Sequence, residues 1–323
     1  MAGKWLHPFP SQVDTGGLEL HSTASEPWLD VQIAHASRSI ARIRQVDLKL
    51  GKRLEIQLRM AQQMACLLAP RFSGEHIRIQ LHDEDPGVSC LRMDAPVGAD
   101  LESSPLIPDP YCLGTNGYEE FRKQLRTNPL PAWRNRIPVV FWRGSTTGSK
   151  DITPDNLQYN LRYQLCCNSL SKQAHLDARF NHIVQCLNDV SLRAVREQLR
   201  HKGLLSPTVG PWHASLHAWL IDIDGNVNSW GLLWKLLSGC CVLRVTSHRQ
   251  QWFHKRMIPW KHMVPIAPDL SDLHERIHWC LRNRQHCEFI AAAGQQLGKQ
   301  IVADLNHDLC AATVRYAQHW LKG

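Results

Sequence analysis

A chain of 323 residues and 36.9 kDa is long enough for two domains at roughly 150 residues each. With 43% apolar and 20% charged residues either half can bury a core, and ordinary glycine and proline contents (19 and 18) exclude collagen-like, linker and low-complexity chains. Lys and Arg outnumber Asp and Glu by 37 to 29, a formal charge of +8, which favours anionic partners: a phosphorylated small molecule, a nucleic acid or an acidic membrane surface.

The opening residues MAGKWLHPFPSQ lack a basic stretch followed by an apolar one, so no signal peptide is expected. The 11 cysteines are odd in number, and two pairs, Cys166-Cys167 and Cys240-Cys241, are adjacent. A reduced, cytoplasmic protein with buried thiols is the expectation. GLLWKLLSGCCVLRV, the nearest approach to a membrane span, is interrupted by Lys235, Gly239 and Arg244.

From Asp30 to Leu68 the pattern reads as helical and basic, with Arg38, Arg42, Arg44, Lys49, Lys52, Arg53 and Arg59. A solvated helical face accounts for it, with a membrane or nucleic-acid patch as the alternative. In EHIRIQLHDEDPG, residues Ile77, Ile79 and Leu81 alternate with polar ones as in a strand, and HDEDPG turns the chain. A polar, Pro-rich segment from Asp94 to Pro110 precedes a short helix around Tyr118 to Arg126. TNPLPAWRNRIP reads as a linker, which puts a domain boundary between about Asn128 and Pro138. Val139 to Trp142 then form a buried strand. Beyond it, HAWLIDIDG, CCVLRV and MVPIA read as strands, and SWGLLWKLL and SDLHERIHWCLRN as helices. That alternation predicts a parallel α/β sheet, whose ligands sit in loops at the carboxyl ends of strands.

Two such loops carry chemistry. RGSTTG (Arg143 to Gly148) follows a strand; Gly144 and Gly148 permit close backbone approach, Ser145 and its neighbours offer hydroxyls, and Arg143 a fork of donors for phosphate. A structural turn explains the bare motif equally well. In IDIDGNVNSWGLLWKLLSG, Asp224-Gly225-Asn226 turns the chain, Ser229 reads as a helix N-cap, and Gly239 ends the helix. Lys235 lies one turn beyond Gly231, where it reaches the same ligand or packs its stem on Trp234 and Leu236. Asp222-Ile223-Asp224 spells DxD, a metal motif in some sugar transferases, although a turn-forming role suits Asp224 better. The 18 histidines show no zinc spacing, and no metal site is expected.

VVFWRGSTTG, the N-x-R-x-x-L pattern of Asn160, Arg162 and Leu165, LDARF and LIDIDGNVNSWGLLWKLLSGCCVLRV occur in an order that resembles glycosyltransferase family 90, as does QWFHKRMIPWKHMVPIAPDLSDLHERIHWC. The resemblance runs from about Ile77 to Cys287 and is nearest to bacterial lipopolysaccharide-modifying members. It implies a GT-B fold: two Rossmann-like domains facing a cleft, divided here as 1–132 and 133–300, with a C-terminal helix, 301–323, crossing back. It implies a UDP-sugar donor of glucose or xylose type, inversion without a metal or other cofactor, and no nucleic-acid partner. The acceptor is then a hydroxyl of lipopolysaccharide, capsule or a related glycan, with contact to an anionic membrane through the basic N-terminal stretch. The alternatives are a protein Ser/Thr acceptor or a non-catalytic basic binding module.

Carried over residue by residue, the general base falls on Asp83, with Asp85 as competitor in the crowded HDEDP turn. Donor contacts fall on Tyr111, Ser145, Arg162 and the run Asn226, Val227, Asn228, Ser229, Trp230 and Gly231. Glucosyltransferase members carry Arg where this chain has Gly231, so Lys235, with Arg143 as the other candidate, is expected to supply the missing cation.

Overall fold

The computed structural model describes residues 28–33, 41–43, 76–80, 88–171 and 175–320. They divide between two compact units. One takes Glu120–Ser247 and Lys255–Gln300; the other takes the described residues up to Glu119, His248–His254 and Ile301 onward.

In the second unit the strands β1 (Trp28–Ile33), β2 (Ala41–Ile43) and β3 (His76–Gln80) form a sheet in the order β2-β1-β3, antiparallel throughout. The helical expectation for Asp30 to Leu68 therefore fails at β1 and β2. Leu29, Val31 and Ile33 alternate with Asp30 and Gln32, a period of two that suits a strand. The link from Ile33 to Ala41 is also too short for the crossover that parallel pairing demands. The rest of that basic stretch lies outside the described residues. The expected strand at Ile77 and Ile79 is present, and both side chains are buried. Parallel bridges Ile79↔Leu91 and Arg92↔Leu106 extend this layer. A two-residue strand β4 (Ala95–Pro96) follows, and then α1 (Pro110–Gly114), capped by the Asp109 carboxylate on the Cys112 amide at 2.9 Å.

The first unit opens in α2 (Glu119–Thr127), one residue from where the sequence put it. Its sheet comprises β5 (Ile137–Ser145), β6 (Leu176–His182), β7 (His217–Asp222), β8 (Cys241–Val245) and β10 (Val264–Ile266). The order is β10-β8-β7-β5-β6, every pairing parallel. The short β9 (Arg249–Gln250) lies in the second unit instead and pairs with β4. The helices are α3 (Leu161–Asn168), α4 (Asp189–His201), α5 (Pro211–Ala214), α6 (Leu232–Leu237), α7 (Leu273–Arg282), α8 (Arg284–Ala303) and α9 (Leu305–Trp320). The chain passes between units within α8, and α9 belongs to the second.

Side-chain alternation decides which helices each face meets. Val140, Trp142, Trp219, Ile221, Cys241 and Leu243 share a core with residues of α3, α4, α7 and α8, while Phe141 and Leu220 pack on the other side with Ala214 and Trp234. Burial on both faces is why HAWLID and CVLRV read as nearly continuous apolar runs. All ten described cysteines are free thiols.

Candidate functional site

From β5 the chain crosses outward to β6, then returns past β5 to β7 and continues to β8 and β10. The direction of winding reverses between β5 and β7, so the crevice at their carboxyl ends is the topological switch point, where open α/β sheets hold ligands. The loops there are the two singled out from the sequence.

Arg162, on the first turn of α3, binds both. Its Nε donates to the Asp224 carbonyl at 2.8 Å and its Nη2 to the Ile223 carbonyl at 3.0 Å, both beyond β7. Its Nη1 donates to the Ser145 carbonyl at 3.2 Å and the Thr147 hydroxyl at 2.6 Å, at the end of β5. Four of the five guanidinium N–H groups are thereby used on neutral oxygens. Burial lowers its pKa to about 10, so it stays charged at neutral pH, with no carboxylate bonded to it. Asn160 supports it: the side chain caps α3 on the Tyr163 amide at 3.0 Å and donates to the Thr146 carbonyl at 3.0 Å. Across the crevice the Gly148 amide donates to Asn226 Oδ1 at 3.0 Å. A methyl group on Gly225 would lie 2.7 Å from Thr147 Oγ1 and 3.0 Å from Arg162 Nη2, so only glycine lets the two loops meet this closely.

Beneath the crevice is a buried charge cluster. Asp222, fully buried at the end of β7, accepts from Lys235 Nζ at 2.7 Å, from the Ser229 hydroxyl at 2.6 Å and from Arg244 Nη1 at 2.8 Å. Burial alone would raise its pKa, but Lys235 and Arg244 hold it below the usual carboxylate value. Burial lowers Lys235, against the pull of Asp222. Asp224 accepts from the Ser229 amide at 3.0 Å and from the Ser247 hydroxyl, and burial raises its pKa. The two carboxylates of the DxD string thus do different work: Asp222 joins an ion triad and Asp224 shapes the turn. With Arg162, three cations face two carboxylates, leaving the mouth of the crevice positive.

The structure departs from several of the expectations drawn from the sequence. β5 continues through Ser145, so Arg143, Gly144 and Ser145 are strand residues rather than loop. Arg143 forks onto Asp177 of β6 (2.7 and 3.1 Å) and donates to Ser206 at 3.0 Å, with its charged group 4.3 Å from the Phe141 ring. That guanidinium is committed to a carboxylate on the far side of β5, which removes it as the substitute for a cation at position 231. The space a Cβ on Gly144 would need is filled by the Trp142 ring at 2.4 Å, a packing reason for glycine. Ser229 is not the N-cap of α6; that position is Gly231, and the Ser229 hydroxyl is drawn to Asp222 instead. The helix does end where Gly239 predicts, at a left-handed φ of 67°.

A side chain at 231 would meet Trp234 Nε1 at 2.8 Å and Lys235 Nζ at 3.6 Å, so the lysine nitrogen occupies the neighbourhood of the missing arginine while Asp222 holds its charge. Val227 and Asn228 are buried beside it, and Trp230 is half-buried. Tyr111, on α1 of the second unit, is 38% exposed. Asp83 and Asp85 lie outside the described residues. Sequence reading missed Arg244 as a member of the site and the capping role of Asn160; the Thr147 hydroxyl, one of those offered by the RGSTTG loop, is used on Arg162. Arg244 had a signal, a charge inside the apolar run CCVLRV, which has to find a buried partner. No group of three or more metal-binding side chains occurs among the described residues.

The sequence profile of glycosyl transferase family 90 matches residues 113–311. Protein O-glucosyltransferase 2 of Danio rerio is 27% identical over 169 residues, covering 52% of this chain and 30% of the relative. Protein 179R of Invertebrate iridescent virus 6 is 29% identical over 177 residues, covering 49% of this chain and 15% of the relative. The chain therefore spans less than a third of the length of either. Among solved structures, HepE of Anabaena in complex with UDP-glucose aligns with a TM-score of 0.43 and 12% identity over 80% of this chain and 76% of that one.

Proposed function

Because the chain belongs to glycosyl transferase family 90, we propose that it moves a glucose- or xylose-type sugar, with inversion, from a UDP-sugar to a hydroxyl of lipopolysaccharide, capsule or a related glycan. The observation that carries the reading is Arg162: a charged guanidinium, bonded only to neutral oxygens, that joins the two strand-end loops of the switch-point crevice. A diphosphate there meets a fixed positive charge that needs no reorganisation when the leaving group gains charge.

In this reading the acceptor hydroxyl attacks the anomeric carbon as the bond to the UDP oxygen breaks, and a carboxylate takes the hydroxyl proton. Asp83 has that role, with Asp85 as its competitor. Arg162 offsets the charge that builds on UDP, with Lys235 held on Asp222 behind it, so the reaction proceeds without a metal. Asn226, Val227, Asn228, Trp230 and Ser145 line the donor site, and Tyr111 is a donor contact carried over from the family resemblance. The O-glucosyltransferase name of the Danio rerio relative favours a second acceptor, the hydroxyl of a protein Ser or Thr.

A thermal-shift screen of nucleotide sugars with and without EDTA tests the donor. Stabilisation by UDP-sugars that survives EDTA is expected, and none with any uridine nucleotide would refute the proposal. Asp83→Asn is expected to keep UDP binding while lowering turnover by at least about a hundredfold; unchanged turnover removes Asp83 from the chemistry.

A further inference from the structure

The chain leaving β6 presents three aliphatic side chains to solvent within one short segment: Val184 at 37% exposure, Leu187 at 55% and Val190 at 65%. This segment is built into the sheet edge. The Thr146 hydroxyl, from the loop after β5, donates to the Val184 carbonyl at 2.8 Å and accepts from the Val184 amide at 2.9 Å. The Ile152 amide donates to the Gln185 carbonyl at 2.8 Å, and the Leu187 amide to the Ile152 carbonyl at 3.1 Å. Asn188 then caps α4 on the Ser191 amide at 2.9 Å. Apolar groups held outward by this many backbone bonds are a presented surface.

Helix α4 continues it. Ser191, Val195 and Leu199 face the core, and Val190, Arg193, Arg196 and Arg200 ride the opposite side at helical spacing. Glu197 pairs with Arg200 and His201 at 2.8 and 2.9 Å. Arg193 and Arg196 have no acidic partner among the described residues, and Arg196 lies near enough to Cys186 for its charge to act on that thiol. Arginines and outward aliphatics thus follow one another along the chain, in a segment that Thr146 ties at Val184 to the loop after β5.

We propose that the segment from Val184 to Val190, with the Arg193–Arg196 side of α4, docks on an anionic lipid bilayer. The arginines meet lipid phosphates while Leu187 and Val190 enter the boundary between headgroups and acyl chains. A nucleic acid or a free phosphate would answer the arginines and leave the aliphatics unused, which is why a bilayer is the better match. The inference deepens the reading above, on which it rests for one point: a lipid-borne acceptor would be held beside the donor loop.

The full chain is sedimented with vesicles of phosphatidylglycerol and phosphatidylcholine, and with phosphatidylcholine alone. Binding to the anionic vesicles only, weakened by salt, is expected. Arg193→Gln with Arg196→Gln is expected to lower partitioning about thirtyfold, and Leu187→Ser with Val190→Ser about tenfold. Both double variants keep the thermal shift given by UDP, which certifies their fold. Wild-type protein that ignores anionic vesicles overturns the proposal. So do variants that partition like wild type, since another surface then does the binding, and so does polynucleotide binding indifferent to the serine substitutions in a chain that ignores vesicles. Vesicle binding by a chain that does not respond to UDP supports this surface while defeating the sugar-transfer reading.

Discussion

Arg143 and Arg162 flank the same strand and end in opposite electrostatic settings. On the β6 side, Arg143 pairs directly with the Asp177 carboxylate, a counter-charge that it shares with Arg179. On the β7 side, Arg162 meets three carbonyls and a hydroxyl, which satisfy its donors without cancelling its charge. Hydrogen bonding and charge neutralisation are separable. One arginine ties two strands together; the other ties two loops together and still presents a positive field to whatever enters between them.

The largest effect expected from disturbing this contrast is at Asp222, the anion that keeps the cluster under the crevice in balance. Asp222→Asn leaves Lys235 and Arg244 buried without a counter-charge and should cost about 3–5 kcal/mol of stability, read by denaturant unfolding. The pH dependence follows from the direction of its shift. Its folded pKa lies below the ordinary carboxylate value, so its contribution is complete at neutral pH and is lost only as pH falls through the folded pKa. An acid unfolding midpoint that the substitution leaves unmoved would break the claim. Next in size is Arg143→Ala, expected to cost about 2–3 kcal/mol through loss of the half-buried fork onto Asp177 and the bond to Ser206, although Arg179 stays on that carboxylate, with UDP affinity unchanged. A UDP affinity that falls with it would erase the contrast between the two arginines.

Gly225→Ala sharpens the contrast from the loop side. Its methyl group would meet Thr147 and Arg162, so about 1–3 kcal/mol of overpacking strain is expected together with weaker UDP binding by calorimetry. Wild-type UDP affinity in this variant would mean that close approach of the loops does not matter to the ligand. Asp109 inverts the setting of Asp222: it is buried, caps α1, and burial raises its pKa to about 7. Its ionisation is opposed in the folded state, so stability should fall as pH rises from the ordinary carboxylate range towards 7. Asp109→Asn keeps the cap and should flatten that slope in a series of melting curves.

The positions of β3, β5, β7, β8, β10 and α7 were legible because each is a compact apolar run bounded by turn formers. So were the two loops, since residues after a buried strand in an alternating chain have few other places to go. Three features were not legible, for physical reasons. β1 and β2 are short, and the basic residues in and around them in sequence (Arg38, Arg42, Arg44, Lys49) suggest a solvated helix more strongly than their brief alternation suggests a strand. The fork between Arg143 and Asp177 joins residues far apart in sequence, and nothing local to RGSTTG announces the partner. Ser229 looks like an N-cap because serine before an apolar run usually is one; a buried aspartate seven residues back competes for its hydroxyl and wins. In each case a tertiary partner overrides a local preference.

Calorimetric titration of UDP and of uridine into wild-type protein and Arg162→Gln tests most directly whether Arg162 meets the diphosphate of the donor. UDP affinity should fall about 10- to 100-fold while uridine affinity changes little, as expected for loss of a charge-assisted contact to phosphate. Equal losses for the two ligands, or an unchanged UDP affinity in a variant that melts like wild type, would contradict that contact.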